Sequence, residues 1–161
     1  MSKKYPLIFI VEDNKAYSKV VDYHLKHNGY ENSKVFTSGE DCLNELHLKP
    51  DIIIQDYKLQ GISGINVLQR VKSVLPFTEF IFLSSQDSIE IAVSSIKYGA
   101  FDYIVKDDVA LQRLLQKIEN IIRLQKLRKR YQILKVAIIT LMIIATVAII
   151  SLLYRAKLNA N

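Results

Sequence analysis

Acid is absent from the last quarter of this chain, and cysteine from nearly all of it. Residues 1–122 carry fourteen Lys and Arg against all sixteen Asp and Glu, a net of −2; residues 123–161 add eight basic residues and no acid. The +6 overall charge therefore belongs to the tail, where basic residues flank an apolar run rather than forming a nucleic-acid face. A single cysteine, Cys42, excludes an intramolecular disulfide and fits a reducing compartment. No internal repeat and no low-complexity linker interrupts the chain. Glycine and proline are missing from Val109 to Tyr154, so nothing there breaks a helix.

Charge is missing altogether from "VAIITLMIIATVAIISLLY", the nineteen residues Val136 to Tyr154. As a helix this run spans about 28 Å, close to the roughly 30 Å hydrocarbon core of a bilayer. A soluble core helix is expected to show a polar face, and only scattered Thr and Ser appear here. The run lies at the wrong end of the chain for a signal peptide. A transmembrane helix is expected, with a hydrophobic oligomerisation helix as the alternative. Before it, "RLQKLRKRYQ" holds five basic residues in ten; after it, "RAKLNAN" holds two. The more basic side stays in the cytoplasm. The expected organisation is a cytoplasmic globular domain at 1–122, a basic juxtamembrane helix at 123–135, a single transmembrane helix at 136–154 and a short non-cytoplasmic tail at 155–161.

Within residues 1–122, short apolar runs alternate with longer amphipathic stretches. "LIFIVED" (7–13), "SKVFTS" (33–38), "DIIIQDY" (51–57), "EFIFLSSQ" (79–86) and "FDYIVKD" (101–107) read as strands. Several are apolar on consecutive positions, as in parallel strands buried on both faces. Between them Asn14, Ser38, Ser63, Asp87 and Asp108 stand where helices open, and Gly29, Pro50, Pro76 and Gly99 where they close. The last helix is expected to carry Leu111, Leu115, Ile118 and Ile122 on one face. Five strands alternating with five helices predict an α/β fold: a five-stranded parallel sheet with helices on both faces, followed by a long helix running into the membrane.

In such sheets, ligands collect at the carboxyl ends of the strands where strand order reverses. The polar residues there are Glu12 and Asp13, Asp56, Ser84 and Lys106. Three clustered carboxylates repel one another unless a cation neutralises them, and oxygen ligands with open positions suit Mg²⁺. An ammonium and a hydroxyl opposite would stabilise phosphoryl oxygens, and a carboxylate is a competent nucleophile for an acyl phosphate. The residues alone therefore predict a Mg²⁺-dependent, phosphoryl-accepting aspartate.

Residues 1 to about 122 resemble a response-regulator receiver domain of two-component signalling, a flavodoxin-like fold. The resemblance rests on "IVEDN", on "DYKLQGISG" with Asp56 eight residues before Gly64, on "FLSS" with Ser84, and on "YGAFDYIVKD" with Lys106. It implies Asp56 as phosphoacceptor, with Mg²⁺ held by Glu12, Asp13, Asp56 and the backbone carbonyl of Tyr57. Lys106 and Ser84 would contact the phosphoryl oxygens, and Tyr103 stands where the family has its switch aromatic. Lys58 and Gln86 occupy positions that, in the family, tune the lifetime of the phosphorylated state. Leu59-Gln60 and Asp107 depart from the family's usual residues at those positions.

The implied partners are a histidine kinase or histidine phosphotransfer protein, with membrane lipid around the tail. The implied location is the cell inner membrane. The chain is expected to catalyse only its own phosphorylation and dephosphorylation, and so not to be an enzyme in the ordinary sense. No helix-turn-helix follows residue 122, so no direct nucleic-acid contact is expected. "RLLQKIENIIRLQKL" leaves a parallel coiled-coil homodimer open, although Gln125 interrupts its apolar seam. The rival readings are a phosphorylation-independent membrane scaffold and a phosphoryl shuttle or sink without an output of its own.

Overall fold

Consecutive apolar positions form strands covered on both faces. In the computed structural model, which describes residues 6–159, Ile8–Val11 (β1), Ile52–Gln55 (β3) and Glu79–Ser84 (β4) are buried at every position. The flanking strands Ser33–Phe36 (β2) and Asp102–Val105 (β5) are only partly buried, as sheet edges are. All four neighbouring pairs are parallel, in the order β2-β1-β3-β4-β5. The helices are Lys15–His27 (α1), Gly39–Asn44 (α2), Gly64–Val74 (α3), Ile89–Lys97 (α4) and Ala110–Asn159 (α5), with a 3₁₀ turn at Leu46–Leu48.

Alternation of side chains along each strand divides the core into two layers. Phe9, Val11, Ile53, Phe80 and Phe82 pack with Cys42 of α2 and with Val67, Leu68 and Val71 of α3. Burial pushes the Cys42 thiol pKa up to about 12. The intervening Ile8, Ile10, Ile52, Ile54, Ile81 and Leu83 form the opposite layer.

Local signals set most helix starts. Asn14 Oδ1 accepts from the N–H groups of Ala16 and Tyr17 at 3.0 and 3.1 Å. Ser38 Oγ accepts from the Asp41 N–H at 3.1 Å and donates to its carboxylate at 2.7 Å. Helix α4 is capped by Ser88, whose Oγ accepts from the Ile91 N–H, rather than by Asp87. Helix α5 begins at Ala110, two residues after the expected Asp108; in the turn before it the Asp107 carboxylate accepts from the Val109 N–H and the Asp107 carbonyl from the Ala110 N–H, at 3.1 Å each. The fully buried residues of α5 are Ala110, Leu114, Ile118 and Ile121, whereas Leu111, Leu115 and Ile122 are half-buried.

The chain divides into two units, Met1–Ile121 and Ile122–Asn161. The second consists of the remainder of α5, a helix long and apolar enough to cross a membrane. Its side chains from Val136 to Ile150 are exposed. The hydroxyls of Thr140, Thr146 and Ser151 donate to the carbonyls of Ala137, Ile143 and Ala148 at 2.8 Å, so these polar groups are satisfied within the helix. Of the expected 155–161 tail, the backbone is helical through Asn159, and residues 160–161 lie outside the described residues.

Gly64, at the start of α3, has no room for a side chain. A Cβ there would stand 2.9 Å from Phe82 Cε1, 3.0 Å from Gln55 Nε2 and 3.1 Å from the Tyr57 carbonyl. Gly64→Ala should therefore cost about 1–3 kcal/mol through overpacking. Chemical denaturation checks this; an unchanged midpoint would show that the Tyr57–Gly64 loop yields freely.

Candidate functional site

The sheet reverses its order between β1 and β3, and their register places the next residues side by side. Val11 pairs with Gln55, so Glu12 and Asp56 follow at adjacent strand ends. The Asp56 N–H donates to the Val11 carbonyl at 2.9 Å, and the Lys106 N–H to the Ser84 carbonyl at 2.8 Å. Backbone pairing thus carries the acids and the lysine to one edge of the sheet.

The three carboxylates offer oxygen atoms that lie within 4.8 Å of one another, with Glu12 and Asp56 buried and Asp13 exposed. Lys106 Nζ donates to Glu12 Oε2 at 2.7 Å and to Asp56 Oδ2 at 2.6 Å. Asp56 Oδ1 accepts from the Lys58 N–H at 3.1 Å. Asp56 is 7 % exposed and Glu12 4 %, so both charges sit where an unpaired carboxylate would be costly.

The pairing is lopsided. Burial tends to depress the Lys106 pKa, but the two carboxylates outweigh it and hold the amine above its ordinary range. Glu12 has only a share of that ammonium. Burial raises its pKa, with the Asp56 charge acting in the same direction, and Lys106 offsets this only in part. One ammonium against three carboxylates leaves the cluster short of positive charge. Its donor set is all carboxylate oxygen with one acid facing solvent, which fits a hard divalent cation such as Mg²⁺. The Tyr57 carbonyl is located by its approach to Gly64, and no contact groups it with the carboxylates; its place among the ligands remains an expectation.

Ser84 is fully buried at the end of β4, where its Oγ accepts from the Gln86 N–H at 3.3 Å. The Tyr103 hydroxyl donates to the Gln86 carbonyl at 2.8 Å. Burial raises the Tyr103 pKa, opposed by a hydrogen bond with Ser84. The Tyr103 ring lies 6.2 Å from that of Tyr57 and 6.1 Å from that of Phe82. The side chain that follows Asp56 in sequence therefore touches the aromatic ring beside Ser84.

One neighbour of the site was not anticipated. The Tyr17 ring covers Lys106 Nζ at 4.4 Å, a cation–π contact. The available signal was positional: Tyr17 sits on the first turn of α1, four residues after Asp13.

Such a doubly wound sheet, with acids and a lysine gathered at its switch point, defines an α/β domain whose acidic pocket suits a divalent cation. Known proteins narrow the class. A family model, the response regulator receiver domain, matches residues 8–119. The chain is 36% identical over 102 residues to an NtrX-like response regulator of Rickettsia felis, covering 62% of this chain and 21% of that protein. The structure of NtrX from Brucella abortus superposes with a TM-score of 0.73 at 26% identity, covering 81% of this chain and 29% of that one. The signal receiver domain of a LuxO repressor protein from Vibrio parahaemolyticus gives 0.70 at 25% identity, covering 78% and 95%. The chain belongs to the response regulator receiver domain family. It spans about a fifth of the length of the NtrX-like relative it matches. Receiver domains bind Mg²⁺ at an acidic pocket and interact with histidine kinases or phosphotransfer proteins.

The raised pKa of Glu12 has a consequence for stability. The folded chain holds that proton more tightly than the unfolded chain, whose carboxyl titrates near 4.5. Its contribution is therefore full below pH 4.5 and is lost as pH rises through the raised value. Glu12→Gln should raise the urea midpoint at pH 7 without Mg²⁺, and the gain should fade as pH drops below that of the free carboxyl. A variant less stable than wild type at pH 7 would show that the bond to Lys106 outweighs burial.

Proposed function

We propose that this chain is a membrane-anchored response regulator that accepts a phosphoryl group from a histidine kinase, or a histidine phosphotransfer protein, on Asp56. The observation that carries the reading is the Lys106 ammonium shared between Asp56 and Glu12 beside a buried acceptor oxygen. An Asp56 oxygen attacks phosphorus, the bond from phosphorus to the donor's imidazole nitrogen breaks, and an acyl phosphate forms. Glu12, Asp13 and Asp56 would hold Mg²⁺, which supplies positive charge to the phosphoryl oxygens. Lys106 provides the fixed counter-charge on the other side. Ser84 hydrogen-bonds the new phosphoryl group and so leaves its contact with Tyr103, which shifts the aromatic ring and the surface around it. Attack of water on phosphorus returns the carboxylate and releases phosphate. Lys58 and Gln86, whose N–H groups contact Asp56 and Ser84, border the path of that water. No independent substrate is turned over, so the chain acts as a switch rather than an enzyme.

The same reading places residues 136–154 across the cell inner membrane with the receiver domain in the cytoplasm. Its support is the unbroken apolar helix, the internally bonded hydroxyls and the excess of basic residues before the run. The basic segment adds attraction to anionic lipid of about 1 kcal/mol per residue near the surface.

Incubation of the purified chain with Mg²⁺ and acetyl phosphate should add the mass of one phosphoryl group, and Asp56→Asn should abolish it. No adduct on wild type, where a control receiver is labelled, would favour a phosphorylation-independent scaffold. Carbonate washing of cell membranes should leave the chain in the pellet; its release would refute the anchor alone.

A further inference from the structure

Between the receiver domain and the apolar run, α5 carries a second, exposed apolar stripe. Leu124, Leu127, Tyr131 and Leu134 are 40, 54, 65 and 61 % exposed. Their spacing of three, four and three residues is the seam of a left-handed coiled coil, distinct from the stripe that ends at Ile121. The positions bordering this seam are Arg123, Arg128, Arg130 and Lys135, all basic. Glu119 is the last acid in the chain.

Charge and geometry select the occupant. In a parallel pair of copies, Arg123 would face Arg128 and Arg130 would face Lys135. An antiparallel pair would also set base against base. Like charges at these bordering positions oppose association, so a second copy is poorly suited. A lipid surface reaches only the near half of the seam. The helix runs without Gly or Pro from Leu124 into the apolar segment, placing Leu127 about 14 Å and Leu124 about 18 Å along the axis from Val136. Those two lie beyond the Debye length of about 8 Å, and an unbroken helix cannot cross the bilayer and lie flat upon it.

We infer that this seam docks a cytoplasmic juxtamembrane helix of a different membrane protein, apolar at heptad spacing and bordered by Asp or Glu. The inference rests on the membrane placement proposed above. Both helices would enter the bilayer from the same side, so they meet in parallel. Apolar positions supply the attraction, and the basic borders admit an acidic partner while rejecting copies of this chain.

The test uses the full chain in nanodiscs of neutral phosphatidylcholine and two synthetic heptad peptides. Both carry Leu at the seam positions; one has Glu at every bordering position, the other Lys. The Glu peptide should bind with an affinity that falls with salt, and the Lys peptide should not. Leu127→Ser, at an exposed site, should weaken binding by about tenfold. Lys126→Ser, on the far side of the helix, should change it by about twofold or less. Equal binding by Leu127→Ser and wild type would reduce the contact to charge attraction and overturn the proposal. So would failure of the Glu peptide to bind, or efficient cross-linking of Leu127→Cys into homodimers. Failure of the chain to enter nanodiscs would instead refute the membrane placement, a separately scored result.

Discussion

Everything at the carboxyl edge of the sheet turns on the Lys106 ammonium, which is held between Asp56 at 2.6 Å and Glu12 at 2.7 Å and covered by the Tyr17 ring. Two buried carboxylates at adjacent strand ends would repel one another, and burial would drive them toward the neutral form. Lys106 reaches them from β5, two strands away from β3, because the parallel register brings Val105 level with Ser84 and Gln55 level with Phe82. The ammonium thus joins the ends of three strands that are not all neighbours. It also leaves the cluster underneutralised, because Asp13 remains exposed and one positive charge faces three negative ones. A pocket with that residual charge is stable enough to fold and still has a use for a divalent ion.

Much of this was legible from residues because the signals were redundant. Strands β1 and β3 declared themselves by apolar residues in succession, which only a sheet covered on both faces accommodates. The rule that polar residues at the carboxyl ends of parallel strands converge named Glu12, Asp13, Asp56, Ser84 and Lys106, of which the three acids and the lysine come together. The misses came where two neighbouring residues offered the same local chemistry. Asp87 and Ser88 are both helix caps by type, and only the backbone decides which one is used. In α5, Leu111 and Leu114 are equally apolar, and only packing decides which is fully buried. Tyr17 was invisible because a tyrosine on a helix carries no mark of the lysine it meets, which is 89 positions away in sequence.

Helix α5 changes the spacing of its apolar residues along its length. Up to Ile121 its apolar residues recur at four, four and three, which keeps them beneath the receiver's sheet. From Leu124 they recur at three, four and three, and basic residues crowd both sides. From Val136 to Tyr154 charge disappears from the whole circumference. Local sequence alone marks these transitions, without a glycine or proline at either junction.

Cys42 lies in the layer beneath α2, and its proton is held so firmly that almost no thiolate exists at neutral pH. Oxidants and electrophiles react with the anion, so the folded domain offers them no handle at its only sulfhydryl. Peroxide bursts or shifts in glutathione should therefore leave Cys42 unmodified while the domain stays folded.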